Sequence, residues 1–168
     1  MPMNLSSRAA LAAGLIGLVV IVSALVLQHG FGYAPCPLCL EQRWPYYIGV
    51  PITFILAFIG DKLPGKAMAA ALLLLAILFA YGCGLGIYQA GAEWEYWLGP
   101  ANCAAGNIGA NPADVGGLFD AIDSSTVVSC TNPSLRILGL SLAGWNAIVM
   151  AVMVLITLKG ALSAAKSG

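Results

Sequence analysis

Residues 9–27 read AALAAGLIGLVVIVSALVL, an apolar run of 19 residues without a charge. As an α-helix rising about 1.5 Å per residue, this run would be about 28 Å long, close to the hydrocarbon thickness of about 30 Å in a bilayer. Further apolar runs follow at 41–59, 67–90 and 137–158. The sequence therefore predicts an all-α membrane protein: a four-transmembrane-helix bundle that forms a single integral-membrane domain over residues 1–168.

The composition supports a lipid-facing exterior. The chain is 60% hydrophobic and only 8% charged, whereas average globular proteins are about 25% charged. Its net charge is zero and no cluster of lysines and arginines occurs, which excludes nucleic-acid binding. The first run is longer than the apolar core of about 7–15 residues in a signal peptide, and no typical cleavage site follows it. We therefore interpret it as a transmembrane helix.

The distribution of cations predicts the orientation of the bundle. One end of a four-span bundle would carry five cations, namely Arg8, Lys62, Lys66, Lys159 and Lys166. The other end would carry only Arg43 and Arg136, with the long polar loop 91–136 between the third and fourth helices. Because positively charged loops remain in the cytoplasm, we expect both termini to be cytoplasmic and the loop to be extracytoplasmic.

A Cys-Pro-Leu-Cys motif at 36–39 separates the first two apolar runs. With Pro37 at the first helical position, Cys36 would be the cap and Cys39 would lie in the first turn. Free backbone N–H groups and the helix dipole favour a thiolate at such a position. Arg43 follows Cys39 by four residues, so on a continuous helix its guanidinium could approach that sulfur. The pattern indicates a redox-active dithiol at the membrane surface, with the ionised form at Cys39.

Other interpretations of this motif are weaker. A Cys-x-x-Cys pair can be half of a zinc site, but His29 is the only histidine and no second such pair exists. A purely structural disulfide rarely has two-residue spacing beside an arginine. Arg43 taken alone would be typical of an interfacial anchor.

A second cysteine pair, Cys103 and Cys130, lies in the polar loop and encloses 26 residues. A disulfide closing such a loop would stabilise the fold by about 3.5 kcal/mol in the chain-entropy model. Taken alone, this pair is therefore interpreted as a structural disulfide. Beside a reactive dithiol, it can instead pass electrons to it. Persistent disulfides are typical of extracytoplasmic compartments, in agreement with the predicted topology.

Cys83 is interpreted as a small buried hydrophobic residue, and Gln89, which could face a ligand or the loop, is not assigned to the site.

The chain resembles the DsbB family, bacterial inner-membrane disulfide-bond-formation proteins that reoxidise DsbA with quinone. The resemblance covers essentially the whole chain. It rests on PCPLCLEQRWPYY at 35–47, EWEYWLGPANC at 93–103 and SLAGWN at 141–146. One departure is the Tyr-Gln-Ala of residues 88–90, near the top of the third span, where many family members have a histidine.

The resemblance implies a thiol:quinone oxidoreductase that works in three steps. A reduced, periplasmic DsbA-like partner attacks the Cys103–Cys130 disulfide, with Cys103 as the site of the mixed disulfide. Cys130 then exchanges with Cys36, which frees Cys39 as a thiolate. Cys39 passes its electron pair to a quinone, ubiquinone or menaquinone, held near Arg43. The implied location is the bacterial inner membrane, with both cysteine pairs on the periplasmic side.

Two alternative functions remain at this stage. A four-span interaction protein whose extracytoplasmic disulfides are only structural would explain Cys103 and Cys130, but not the dithiol beside Arg43. Vitamin K epoxide reductases are also four-span, quinone-linked thiol enzymes. Their redox dithiol lies toward the end of the bundle, whereas here it precedes the second span.

Overall fold

The computed structural model of the protein describes residues 3–99 and 135–166. In this part of the chain, four helical segments are long and apolar enough to cross a membrane, so the predicted all-α, four-helix membrane fold is confirmed. Cys103, Cys130 and most of the predicted loop 91–136 lie outside the described residues. The helices are α1 (Leu5–Gly30), α2 (Pro37–Glu41), α3 (Trp44–Ile59), α4 (Gly65–Glu93) and α5 (Leu142–Lys166), and a short 3-10 turn, Gly60–Lys62, precedes α4.

The second membrane segment is interrupted between α2 and α3. Pro45 has no N–H, and a proline ring collides with the carbonyl group four residues earlier in a continuous helix, here that of Glu41. The chain therefore leaves the helix at Gln42 and Arg43, and the Arg43 backbone N–H donates to Leu40 O at 3.1 Å. As a result, two helix beginnings lie close together at this end of the bundle.

The last helix begins at Leu142 rather than at residue 137, where the apolar run begins. Strands β1 (Arg136–Ile137) and β2 (Leu140–Ser141) form an antiparallel hairpin before it. The two residues of its turn, Leu138 and Gly139, have φ angles of 52° and 82°, as a type I′ hairpin turn requires. Ser141 then accepts a hydrogen bond from the Gly144 backbone N–H at 3.1 Å, which caps the first turn of α5.

Opposite the hairpin, the other end of the bundle is fastened by Asp61 in the 3-10 turn. Its Oδ1 accepts hydrogen bonds from Ser7 Oγ at 2.8 Å and from the Asn4 backbone N–H at 3.3 Å. Asn4 also caps α1, because its Oδ1 accepts from the Ser7 N–H at 2.7 Å. The beginning of α1 and the connection between α3 and α4 are thus joined at this end.

The centre of the bundle is a core of large apolar side chains. Its fully buried members include Phe79, Met68, Leu72, Met150 and Met153. Many other large apolar side chains are exposed, for example Phe58, Leu74 and Leu155, and in a membrane these face lipid. The helices are therefore apolar on the inner and the outer surface alike.

Small residues allow α4 and α5, the most extensively packed helix pair, to approach closely. A Cβ atom placed on Gly86 would lie 3.0 Å from Ala147 N and 3.1 Å from Ala143 O, which are backbone atoms of α5. Backbone atoms cannot rotate away as a flexible side chain can. Close contact through small residues is the usual way in which membrane helices gain packing energy.

We therefore expect Gly86→Ala to separate α4 from α5 and to lower the thermal stability of the detergent-solubilised protein, with a loss of about 1–3 kcal/mol typical of overpacking. Gly84→Ala is the matched control on the same helix, because a Cβ there has no atom within 4 Å. Alanine is the better helix former by up to about 1 kcal/mol, so this control should be neutral or stabilising. Equal melting temperatures for the two variants would contradict the close contact at Gly86.

Candidate active site

Cys36 and Cys39 form a disulfide at the beginning of α2, with their Cα atoms 5.0 Å apart. Cys36 is the N-cap, Pro37 occupies the first turn, and Cys36 Sγ accepts a hydrogen bond from the Cys39 backbone N–H at 3.1 Å. This is the local geometry that the sequence predicts. Cys36 is only 2% exposed, whereas Cys39 is half-buried, so Cys39 is the more accessible residue of the pair.

Gln89, which the sequence analysis left outside the site, contacts both sulfurs. Its side chain is 5% exposed, and its Nε2 lies 3.6 Å from Cys36 Sγ and 3.5 Å from Cys39 Sγ. An amide at membrane depth signals a functional position, but the sequence could not tell which way it faces. The structure directs it at the disulfide.

Gln89 is also the end of a chain of side-chain hydrogen bonds that crosses the bundle. Tyr46 of α3 donates its hydroxyl to Asn146 Oδ1 at 2.6 Å. The Nδ2 of Asn146, on α5, donates to Gln42 Oε1 at 2.6 Å. The Nε2 of Gln42 in turn donates to Gln89 Oε1, again at 2.6 Å. Three helices and the α2–α3 connection therefore hold the amide that faces the sulfurs.

Glu93 lies one helical turn beyond Gln89 and is 7% exposed. Its Oε1 accepts a hydrogen bond from Gln89 Nε2 at 3.3 Å. Its Oε2 is fully buried and has no hydrogen-bond partner among the described residues. Glu93 was not predicted as a site residue, because it falls within the predicted polar loop 91–136, where acidic residues are common; in the structure it is the last residue of α4.

Arg43 also lies at this site. Cys39 belongs to α2, whereas Arg43 is the N-cap of α3, so the two residues do not lie on one uninterrupted helix. Arg43 Nη1 donates to Gln28 Oε1 near the end of α1. The guanidinium is thus held against α1.

A cavity of about 300 Å³ lies between these groups. The disulfide, Arg43, Gln89 and Glu93 belong to its polar lining. Apolar residues of α1 and α5 also line it, among them Val20, Ala24, Leu27, Leu142 and Val149. The site is therefore a disulfide in the wall of a largely apolar cavity that also contains a cation and an amide donor.

Cys83 lies apart from this geometry. Cys83 is the free cysteine of the described part of the chain, and its thiol donates to Ala147 O at 3.4 Å between α4 and α5. Cys103 and Cys130 lie outside the described residues. Across residues 3–99 and 135–166, no group of three potential ligands could hold a metal ion.

Comparison with known proteins identifies the family. The sequence model described as "Disulfide bond formation protein DsbB" matches residues 6–159 of this chain.

The chain belongs to the DsbB family.

Its relatives agree with this assignment. "Disulfide bond formation protein B 1" of Pseudomonas syringae pv. syringae is 34% identical over 134 residues, which cover 79% of this chain and 75% of that protein. "Disulfide bond formation protein B" of Aromatoleum aromaticum is 30% identical over 155 residues, covering 86% and 82%. A Rickettsia prowazekii relative, "Uncharacterized protein RP370", is 26% identical over 131 residues, covering 78% and 73%. No solved structure matches the chain significantly.

Family membership confirms the resemblance inferred from the sequence motifs. It establishes an integral membrane protein of disulfide-bond formation, a disulfide-forming oxidoreductase. The Cys36–Cys39 disulfide and its cavity are the part of the described structure that suits this chemistry.

The contact between Gln89 and the sulfurs predicts the reactivity of the reduced pair. Because the Gln89 N–H groups can donate to a Cys39 thiolate, and because hydrogen bonds to charged groups contribute about 1.5–3 kcal/mol, Gln89→Leu should slow alkylation of reduced Cys39 by iodoacetamide about tenfold or more at neutral pH. The measurement uses a Cys83→Ala background with the alkylated residue identified by mass spectrometry. Tyr88→Phe, which alters the neighbouring exposed residue, is the control. Unchanged alkylation in Gln89→Leu would show that the amide does not stabilise the thiolate.

Proposed function

We propose that this protein is a membrane thiol:quinone oxidoreductase that reoxidises a periplasmic DsbA-like dithiol oxidase. Electrons would pass from the partner to the Cys103–Cys130 pair, then to the Cys36–Cys39 pair, and finally to a membrane quinone. The observation that carries the proposal is the disulfide in the wall of a largely apolar cavity at one end of a transmembrane bundle. Such a cavity gives a lipid-soluble oxidant access to Cys39.

The cavity has the chemical character that a quinone headgroup requires. A quinone ring is flat and apolar, with two carbonyl oxygens that accept hydrogen bonds, and ligand sites of this type combine apolar walls with a few fixed polar groups. The walls from α1 and α5 would hold the ring, and Arg43 and Gln89 are the donors that could reach its oxygens. A bound quinone, ubiquinone or menaquinone, would supply a two-electron acceptor. Membership of the DsbB family also supports a quinone-linked role.

Each residue of the site would have a distinct role in electron transfer. Cys39, the more accessible residue of the pair, would be the electron donor. Gln89 would stabilise its thiolate, and Arg43 would stabilise negative charge that develops at the acceptor. Cys36, only 2% exposed, would exchange with Cys130, and this step requires a local opening around Cys36.

The proposed location is the bacterial inner membrane. Both termini would be cytoplasmic and both cysteine pairs periplasmic. The excess of lysine and arginine at the end opposite the disulfide supports this orientation.

The relay predicts quinone-linked turnover that depends on both cysteine pairs. Purified protein should reduce ubiquinone or menaquinone with a reduced DsbA-like dithiol as the donor. Cys39→Ser should abolish this activity, because it removes the proposed electron donor, and Cys103→Ser should abolish it by removing the entry point. Cys83→Ser is the matched control and should retain it, since Cys83 lies away from the cavity. Absence of turnover by the wild type with either quinone, or full activity of Cys39→Ser, would contradict the proposal.

Arg43 provides a separate test of the quinone site. Because a charged donor to an acceptor oxygen contributes about 1.5–3 kcal/mol, Arg43→Gln should lower kcat/KM for quinone about ten- to hundredfold. Arg136→Gln, which removes an exposed cation at the same end of the bundle, should leave kcat/KM within about twofold of the wild type, as surface charges contribute little. Equal losses for the two variants would indicate a general charge effect rather than a contact at the site.

A further inference from the structure

Glu93 is a buried carboxylate to which the proposed relay gives no role. It ends α4 and lines the cavity beside the disulfide. Its Oε2 is fully buried and has no hydrogen-bond partner in the part of the chain that the structure describes. Burial of such a group is unfavourable, and an acidic residue within a membrane span usually marks a proton or ion pathway. The buried, unpartnered oxygen of Glu93 therefore indicates a role in proton transfer.

The other titratable or charged groups of the cavity do not fit this role. They are Tyr33, Cys36, Cys39, Arg43 and Tyr46. Arg43 donates to Gln28, the Tyr46 hydroxyl donates to Asn146, and Tyr33 is exposed. The helices α1 and α5 contribute no titratable side chain to the described lining of the cavity. Glu93 is thus the group on this lining that can accept and release a proton beside the two sulfurs.

The position of Glu93 suits a base for the dithiol. Gln89 Nε2 is shared between Glu93 Oε1, at 3.3 Å, and the two sulfurs, at 3.5 and 3.6 Å. The carboxylate and the sulfurs are therefore neighbours of one nitrogen atom. A general base can take a proton from a group within hydrogen-bond reach or through one bridging water molecule.

Oxidation of the dithiol sets the proton balance of the site. One S–S bond forms, two S–H bonds break, and two electrons and two protons leave. A thiolate must form first, because the thiolate and not the thiol is the reactive species. In the fully reduced dithiol, unlike a mixed disulfide at Cys36 that has already released Cys39 as a thiolate, the proton of Cys39 therefore needs an acceptor before any electron moves.

We propose that Glu93 is this acceptor. It takes the proton of the Cys39 thiol, which leaves a Cys39 thiolate beside a neutral carboxylic acid. As the Cys36–Cys39 bond forms, the electron pair, the proton on Glu93 and the proton of Cys36 pass to the quinone, which yields the quinol. Glu93 returns to its carboxylate form. The identity of the final acceptor rests on the proposed function, whereas the transfer from Cys39 to Glu93 does not.

The first transfer can be observed without quinone by infrared difference spectroscopy. The sample is the full-length chain with Cys103→Ser and Cys130→Ser, so that only the Cys36–Cys39 pair is reduced and oxidised. The reduced-minus-oxidised spectrum should contain a positive C=O stretching band of a carboxylic acid. Glu93→Gln should remove this band, and Glu95→Gln, which changes an exposed glutamate two residues away, should retain it.

The kinetic consequence should appear in kcat rather than in KM. Because positioned acid–base groups contribute about 10²–10⁴-fold, Glu93→Gln should lower kcat for quinone reduction about 100-fold with KM nearly unchanged. Glutamine preserves the size of the side chain and an oxygen that accepts from Gln89, so the fold should be intact. Formate should restore part of the activity of Glu93→Ala by replacing the missing carboxylate, and it should have no effect on Glu95→Ala. A merely structural role for Glu93 would not be restored in this way.

Two results would overturn the inference: a carboxylic-acid band that persists in Glu93→Gln, or a Glu93→Gln kcat close to that of the wild type. Failure of the proposed function would look different. In that case the wild type itself would not reduce quinone, and the infrared band alone would decide whether Glu93 accepts the proton of Cys39.

Discussion

The chain of hydrogen bonds from Tyr46 to Gln89 holds the redox end of the bundle together. Inside a membrane no bulk water is present to satisfy a polar group, so each buried amide must find its partner within the protein. Here the partners come from different helices: Tyr46 from α3, Asn146 from α5 and Gln89 from α4. Displacing any one of these helices would leave buried polar groups unpaired. The disulfide is therefore held in a wall whose shape is specified by polar contacts as well as by packing.

The direction of this chain follows from Glu93. Glu93 Oε1 accepts from Gln89 Nε2, which leaves Gln89 Oε1 to accept from Gln42. Gln42 must then donate with Nε2 and accept with Oε1, and the same requirement passes to Asn146 and to the hydroxyl of Tyr46. With this orientation, the amide group that faces the sulfurs is a donor. An N–H group of Gln89 thus lies nearest to both sulfurs, at 3.5 and 3.6 Å, while its carbonyl oxygen lies 3.8 Å from Cys39 Sγ.

The sequence predicted the fold class because charge-free runs of membrane length are unambiguous, and it predicted the cap geometry of Cys36 because Pro37 is favoured at the beginning of a helix. It did not predict the direction in which the side chains of Gln89 and Asn146 point. Lipid and protein core are both apolar, so helices such as α4 carry no hydrophobic asymmetry that would reveal their rotation. The helix interruption after Glu41 is explained by Pro45, which is visible in the sequence. The predicted approach of Arg43 to Cys39 nevertheless assumed a continuous helix through both residues. The hairpin at Leu138 and Gly139 was missed because its residues are apolar and extend the last hydrophobic run.

The hydrogen bonds of Asp61 to Ser7 and Asn4 bear on the order in which the molecule assembles. Every group in that contact precedes α4, so it is available to the nascent chain once the first two spans have been synthesised. The redox cavity requires Gln89, Glu93 and Asn146, and the last of these arrives only with the final helix. The first half of the protein can therefore close into a hairpin of spans at one membrane face while the opposite face is still incomplete. The redox cavity is consequently complete only once the final helix has been synthesised.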